Sequence, residues 1–265
     1  MTEKNYRLIW FHHFHKAAGS TMFASAMLNG EIPYPNHQNG NPCDSAGRVI
    51  PLWEFGADEI GAFVDHCEAN GITFVCTEWG CPDLRLLRED PRVITVSIIR
   101  DPFERLVSNY EYDILRGYER ICRLPDYYFH HSLGYRQPDY YTRALARGAG
   151  VSKTISDVAD LAATENFAAF DYVLVLGHTK GFTDMHALLG WPQFAPRTNV
   201  KRTLVKSLLR HTIRLEPERL RANYLIAKRY RHDYPEFQGV FNAANVRDLA
   251  LFERAAASAR KNMAT

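Results

Sequence analysis

The chain lacks most of what would place it in a membrane, in a secreted scaffold or along a nucleic acid. Among its 265 residues no apolar run approaches the ~18 needed to cross a bilayer. Met1-Thr2-Glu3-Lys4-Asn5-Tyr6-Arg7 leads straight into an apolar segment, without the charged, apolar and cleavage regions of a secretion signal. These absences point to a cytoplasmic protein. The cysteines Cys43, Cys67, Cys76, Cys81 and Cys122 are odd in number and irregular in spacing, which favours reduced thiols over a disulfide framework. No second pair follows Cys76 and Cys81 at zinc-knuckle spacing. No sign of charge dominates: 32 Lys and Arg stand against 30 Asp and Glu, a formal net charge of +2. That balance argues against a general nucleic-acid coat, and the basic stretch 211–231 reads as a solvated helix face. Internal repeats and low-complexity segments are missing, and the length suits a single domain over 1–265. Two phosphate-loop fingerprints are absent as well. The order G-x-x-x-x-G-K-[ST] does not occur, which argues against an ordinary ATPase or GTPase, and neither does G-x-G-x-x-G.

What is present begins at residues 8–22, Leu-Ile-Trp-Phe-His-His-Phe-His-Lys-Ala-Ala-Gly-Ser-Thr-Met. An apolar strand ends in a tight loop of small residues, and a helix follows. The unpaired first amides and the macrodipole of a helix favour an anion at its N-terminus. Lys16 precedes the small residues Ala17, Ala18, Gly19, Ser20 and Thr21, which let backbone approach a phosphate, while Ser20 and Thr21 offer hydroxyls. A capped βα turn with an incidental lysine would give the same segment. His13 and His15 share a strand face, with His12 on the other. Structural or loop roles are preferred over metal ligation for these histidines, and no metal is expected.

A second segment strengthens the phosphate reading. Residues 93–99, Val-Ile-Thr-Val-Ser-Ile-Ile, form a buried strand of the kind found in parallel sheets. Arg100-Asp101-Pro102 follows, with Asp101 as N-cap and Pro102 in the first turn of a helix over 102–116. Arg100 then stands at the carboxyl end of a strand, where open α/β sheets bind ligands, with Ser108 on the next helix as a further donor.

Together the two segments resemble the sulfotransferases that use 3′-phosphoadenosine 5′-phosphosulfate (PAPS), most closely the heparan sulfate 2-O/6-O branch. His15-Lys16-Ala17-Ala18-Gly19-Ser20-Thr21 resembles that family's 5′-phosphosulfate loop. Ile99-Arg100-Asp101-Pro102-Phe103-Glu104-Arg105-Leu106-Val107-Ser108 resembles its 3′-phosphate motif. The family usually has Thr-Gly where this chain has Ala17-Ala18. Asp139-Tyr140-Tyr141-Thr142-Arg143, the strand–helix unit from Phe170, the loop 194–203 and Asp233-Tyr234 resemble later family segments in the right order. The resemblance implies a P-loop-like three-layer α/β fold with a central parallel sheet flanked by helices. It further implies PAPS as donor substrate, its 3′,5′-bisphosphate (PAP) as product, and no metal. Lys16 would stabilise the leaving phosphate. The amides of 17–21 would hold the 5′-phosphate. Arg100 and Ser108 would hold the 3′-phosphate, with Asn199 and Arg202 approaching the nucleotide.

An acceptor hydroxyl needs a general base. Glu78 closes the second strand, in Thr77-Glu78-Trp79-Gly80-Cys81-Pro82, at the same sheet edge as Lys16 and Arg100. The family branch has a catalytic histidine in this region. Burial beside Trp79 would raise the Glu78 carboxyl into a basic range; a glutamate paired with a nearby arginine is the other reading. His37, His130 and His131 are reserves. His37, Trp79, Tyr135 and Arg143 are taken as acceptor-binding residues, and Arg136 and Arg147 could also attract an acidic acceptor. The acceptor is a small molecule or glycan, a carbohydrate hydroxyl by resemblance. A kinase with an atypical phosphate loop and a non-catalytic nucleotide-binding module are the rival functions.

Strands are expected at 7–13, 72–77, 93–99 and 171–176, and helices at 20–29, 57–69, 82–89, 102–116 and 180–189. A long loop is expected at about 30–56, an aromatic insertion at about 120–141, and a largely helical C-terminal third.

Overall fold

A computed structural model describes residues 6–119, 122–130, 134–146, 155–178, 180–193 and 234–261, with positions 217 and 224. Asn199, Arg202, His131 and Arg147 lie outside the described residues, as does the loop 194–203.

The centre is a parallel sheet of β1 (Leu8–His13), β4 (Phe74–Thr77), β5 (Val93–Ile99) and β6 (Tyr172–Val175), in the order β4-β1-β5-β6. Helices flank it, giving a three-layer α/β architecture. Central β1 is covered on both faces: Leu8, Ile9, Trp10 and Phe11 are all buried. That explains its unbroken apolar sequence, since alternation is needed only where one face meets water. Each fully buried side chain of this size contributes about 1.5–3 kcal/mol. His12 sits in the same dry interior. Burial drives its imidazole down to about 3, so it is neutral, with Nδ1 3.1 Å from the Thr77 hydroxyl.

The chain runs from β1 outward to β4 and then crosses to β5 on the other side. The sheet therefore changes direction between β1 and β5, and the crevice outside their carboxyl ends is the topological switch point. Register places the three relevant ends together, because His12 lies opposite Thr77 and His13 opposite Ile98.

The flanking helices obey local signals. In α4 (Pro102–Arg116) the Asp101 carboxylate accepts from the Glu104 amide at 2.9 Å, and Pro102 occupies the first turn. Gly117, at φ 75°, ends the helix. Helix α1 (Gly19–Leu28) follows the first loop, α2 (Ala57–Ala69) precedes β4, and α3 (Leu84–Glu89) joins β4 to β5. Asp83, not Pro82, caps α3. For α2 the N-cap is Gly56, whose amide donates to Glu59 at 2.8 Å.

The expected loop at 30–56 contains more order than its composition suggests. His37–Gln38 (β2) and Asn41–Pro42 (β3) form a hairpin around Asn39-Gly40, and a 3₁₀ turn covers Leu52–Glu54. Both turn residues have positive φ, as the two-residue hairpin requires.

The aromatic segment at 120–141 carries helical structure among its described residues. It comprises α5 (Leu124–Phe129), a 3₁₀ turn (Gly134–Arg136) and α6 (Tyr140–Leu145). Tyr127 and Tyr128 join Phe103, Leu106 and Tyr110 of α4 and Phe237 and Phe241 of α9 (Tyr234–Ala244) in a second apolar cluster. These rings serve packing, because removing them from water outweighs anything they could offer a ligand there.

Helices α7 (Asp157–Ala168), α8 (Gly181–Leu188) and α10 (Val246–Lys261) complete the described elements. α6 and α10 cap each other. The Asp248 carboxylate accepts from the Tyr141 and Thr142 amides at 2.9 Å each, and Asp139 accepts from the amides of Arg247 and Asp248 at 3.0 and 3.2 Å. Burial raises the Asp248 carboxyl to about 6, against the opposing effect of its amide bonds.

Candidate active site

The loop after β1 is built on strain. Lys16 and Ala18 both have left-handed backbone, at φ 64° and 62°. A side chain in that region costs roughly 1–2 kcal/mol, and such strain persists where surrounding structure enforces it. Ala18 is the N-cap of α1 and has no side chain with which to accept from the first amides. Its carbonyl takes the Thr21 and Met22 amides at 3.0 and 3.2 Å, and the Ala17 amide donates to the Phe14 carbonyl at 3.0 Å, so it is the Gly19 and Ser20 amides that stand at the positive end of the helix dipole. Gly19 is required for a different reason. A Cβ there would lie 2.2 Å from His13 Nε2, so the imidazole rests directly on the Gly19 backbone.

Lys16 Nζ lies 3.7 Å from the centre of the Tyr112 ring. Burial pushes its ammonium down to about 8, helped by Arg100 and Arg116 and opposed by Asp113 and Glu78. Lys16, Arg100 and Glu78 thus lie close enough for their charges to act on one another. The half-buried Arg100 makes a 3.3 Å contact with Glu104, and its backbone is clamped by the Tyr141 hydroxyl, which donates to the Arg100 carbonyl at 2.7 Å. Tyr140 does the matching work on the other loop, its hydroxyl accepting from the His15 amide at 2.9 Å. Two adjacent tyrosines of α6 thus fix the ends of both β1 and β5.

Glu78 lies where expected, at the end of β4, but its environment is not the expected one. Its Oε1 is 2.6 Å from His15 Nδ1, and its Oε2 is 3.7 Å from His13 Nδ1. Burial alone would raise the carboxyl, but the two histidines outweigh burial and hold it at about 2. The expectation of a raised carboxyl beside Trp79 is overturned. Trp79 is 40 % exposed. The indole held against the following backbone is Trp53, 2.6 Å from where a Cβ on Gly80 would stand. An arginine partner for Glu78 is likewise replaced by histidine.

Other predicted residues are dispersed. Ser108 is half-buried on α4. Tyr135 does reach the site, its ring stacked on His15 at 4.6 Å. His37 is exposed on the β2–β3 hairpin, near Phe23. Arg143 donates to the Pro138 carbonyl at 2.7 Å, and its charged neighbours are Asp139, Asp248 and Arg247 at the α6–α10 junction. Arg136 is fully buried in ion pairs with Asp113 and Glu119, which removes it as an attractor of acidic acceptors.

Three contributors escape the sequence reading. Asn41, buried at the hairpin base, accepts from both the Glu78 and Trp79 amides, at 2.7 and 3.0 Å. Asn109 and Tyr112 lie with Arg105 at i, i+4 and i+7 of α4, a single stripe facing the loop; Asn109 touches His15 and Tyr112 touches Lys16. That spacing was the available signal.

A cavity of about 310 Å³ lies elsewhere, between β6, α7, α8 and α10, and none of the predicted site residues lines it. The left-handed loop and the neighbouring charges of Lys16, Arg100 and Glu78 make the switch point the stronger candidate.

Compared with family models, with curated proteins and with solved structures, the chain has no match.

Proposed function

We propose that the protein is an O-sulfotransferase that moves a sulfuryl group from PAPS to an acceptor hydroxyl, most simply that of a carbohydrate. One observation carries the proposal: Lys16, the N-terminus of α1, Arg100 and Glu78 gather at the carboxyl ends of β1, β4 and β5, close enough for their charges to act on one another. The resemblance of the two loop segments to the PAPS-dependent family supplies the reaction class.

In this reading the α1 amides hold the 5′-phosphate and Lys16 approaches its bridging oxygen. Arg100 and Ser108 take the 3′-phosphate. The acceptor oxygen bonds to sulfur as the sulfur–phosphate-oxygen bond breaks, and PAP leaves with the electron pair. Lys16 balances the charge that develops on that oxygen. The acceptor proton goes to Glu78. A carboxylate held at about 2 is a weak base. It takes the proton late, once bonding to sulfur has made the acceptor oxygen acidic.

The test is transfer from radiolabelled PAPS across a panel of glycans, alcohols and phenols, without added metal. Labelled product that disappears in Lys16→Ala and in Glu78→Gln supports the proposal. Absence of product from every acceptor, together with turnover of ATP–Mg²⁺, contradicts it and favours a kinase.

A further inference from the structure

A chain of hydrogen bonds runs from the site into the second apolar cluster, and its donors and acceptors can be assigned from the far end. The Arg136 guanidinium has only protons to give: Nη2 donates to Asp113 Oδ2 at 2.9 Å and Nη1 to Glu119 at 2.7 Å. The Tyr127 hydroxyl has one proton, which goes to the same Asp113 oxygen at 2.7 Å. Burial raises this phenol far above its ordinary range, so the proton stays on it. Its oxygen therefore accepts from Asn109 Nδ2. With Nδ2 committed to Tyr127, the other end of the amide, Oδ1, faces His15 Nε2 at 2.9 Å. A carbonyl oxygen only accepts, so Nε2 carries a proton. At the opposite side of the ring Nδ1 faces Glu78 Oε1 at 2.6 Å; a carboxylate is ordinarily ionised at neutral pH and then only accepts, so Nδ1 carries one as well.

We infer that Asn109 and Tyr127 are positioning residues that hold His15 with a proton on both ring nitrogens, as a fixed cation aimed at Glu78. The groups facing this ring are Glu78 from β4, Asn109 from α4, Tyr135 from the 3₁₀ turn and the Tyr140 hydroxyl from α6. The titratable and charged groups behind them are His13, Lys16, Asp113 and Arg136. The Tyr135 ring covers one face of the imidazole, a placement that favours a cation. In this state His15 cannot accept a proton. It keeps the Glu78 carboxylate ionised and oriented, so Glu78 remains the acceptor's base. That consequence, though not the protonation itself, rests on the sulfotransferase reading.

The test is a long-range ¹H–¹⁵N correlation spectrum of the full labelled chain at pH 7, with His15 assigned from the spectrum of His15→Gln. Two protonated ring nitrogens are expected in the wild type. Tyr127→Phe removes the group that fixes the Asn109 amide, which then turns its NH₂ toward Nε2; one ring nitrogen should lose its proton. Asn109→Asp keeps an acceptor there and should keep both protons, whereas Asn109→Leu should lose one, so folding of either the Tyr127 or the Asn109 variants suffices for the test. An unprotonated ring nitrogen on wild-type His15 overturns it, as does an unchanged spectrum in both Tyr127→Phe and Asn109→Leu. These spectra need no ligand, so their outcome is separate from whether PAPS is the donor. Where turnover is measurable, Asn109→Leu should lower kcat about tenfold with KM held, and Asn109→Asp should restore it.

Discussion

The β2–β3 hairpin and the loop after β1 both use left-handed backbone, and they use it with opposite kinds of residue. In the β2–β3 hairpin the positions are Asn39 and Gly40, at φ 50° and 92°. Asparagine and glycine tolerate that conformation, so the turn agrees with its sequence. In the loop after β1 the positions are Lys16 and Ala18, which do not tolerate it well. Lys16 is also half-buried and pressed below its ordinary range, which costs further stability. The hairpin is the turn of a scaffold, and it delivers Asn41 to the Glu78 amide. The phosphate-type loop holds strain and a desolvated charge in the free protein, as sites arranged for a ligand do.

The contrast is broken most strongly at Lys16. Lys16→Met should lower transfer about 10³-fold, the order seen when one charge-stabilising group is lost. The same change should raise stability by about 1 kcal/mol, because it removes a poorly solvated ammonium. Steady-state rates and thermal melts read the two effects, and a variant both inactive and less stable would count against a desolvation cost at Lys16.

Gly40→Ala attacks the other turn. Its φ is strained for alanine, and a Cβ would stand 2.8 Å from Cys76 Sγ. A loss of about 1–3 kcal/mol is expected in denaturant melts, with activity falling as Asn41 loosens. Wild-type stability in this variant would mean that the hairpin is not held as described.

Proton linkage at Lys16 sharpens the comparison more gently. Its folded value is about 8 against an ordinary 10.5. Between those limits the unfolded chain binds the additional proton, so the residue's contribution to stability rises with pH through that window. Anion binding has the opposite dependence. Between pH 7 and 8 the ammonium is already present and the phosphates are largely ionised, so affinity for 3′,5′-ADP should change little. Above pH 8 binding must take up a proton, and affinity should fall by at most about tenfold per pH unit. Calorimetry in buffers of different ionisation heat measures the uptake, and none between pH 8 and 10 would remove Lys16 from the anion site.

The smallest effect belongs to Ala18→Gly. Relief of left-handed strain is partly offset by the freedom glycine gives the unfolded chain, leaving a gain of about 0.5 kcal/mol. A Tm lower than that of the wild type would show that Ala18 is not strained.

Much of the scaffold is legible before any coordinates. The β-branched run 93–99, the Asp101-Pro102 start of α4 and the 57–69 helix all coincide with observed elements, because strong local signals agree there with tertiary need. The hairpin was also readable from Asn39-Gly40, but strands of two residues give no period to detect. The site divides in the same way. Lys16, Arg100 and Glu78 are legible as strand-end residues of a parallel sheet. The low carboxyl of Glu78 is not, since it depends on His13 and His15 reaching across from a neighbouring strand and its loop. The aromatic segment divides as well, with Tyr135 and Tyr140 at the site and Tyr127 and Tyr128 in the second apolar cluster, because burial decides whether a tyrosine lines a pocket or a core.

The most direct test of the donor site is calorimetric titration of the wild type and Arg100→Ala with 3′,5′-ADP, with ATP–Mg²⁺ as the rival ligand. Binding of 3′,5′-ADP that weakens at least tenfold in Arg100→Ala, with no preference for ATP–Mg²⁺, is the predicted result. No binding of 3′,5′-ADP, or equal binding by both proteins, would contradict a PAPS site at the β1–β5 crevice.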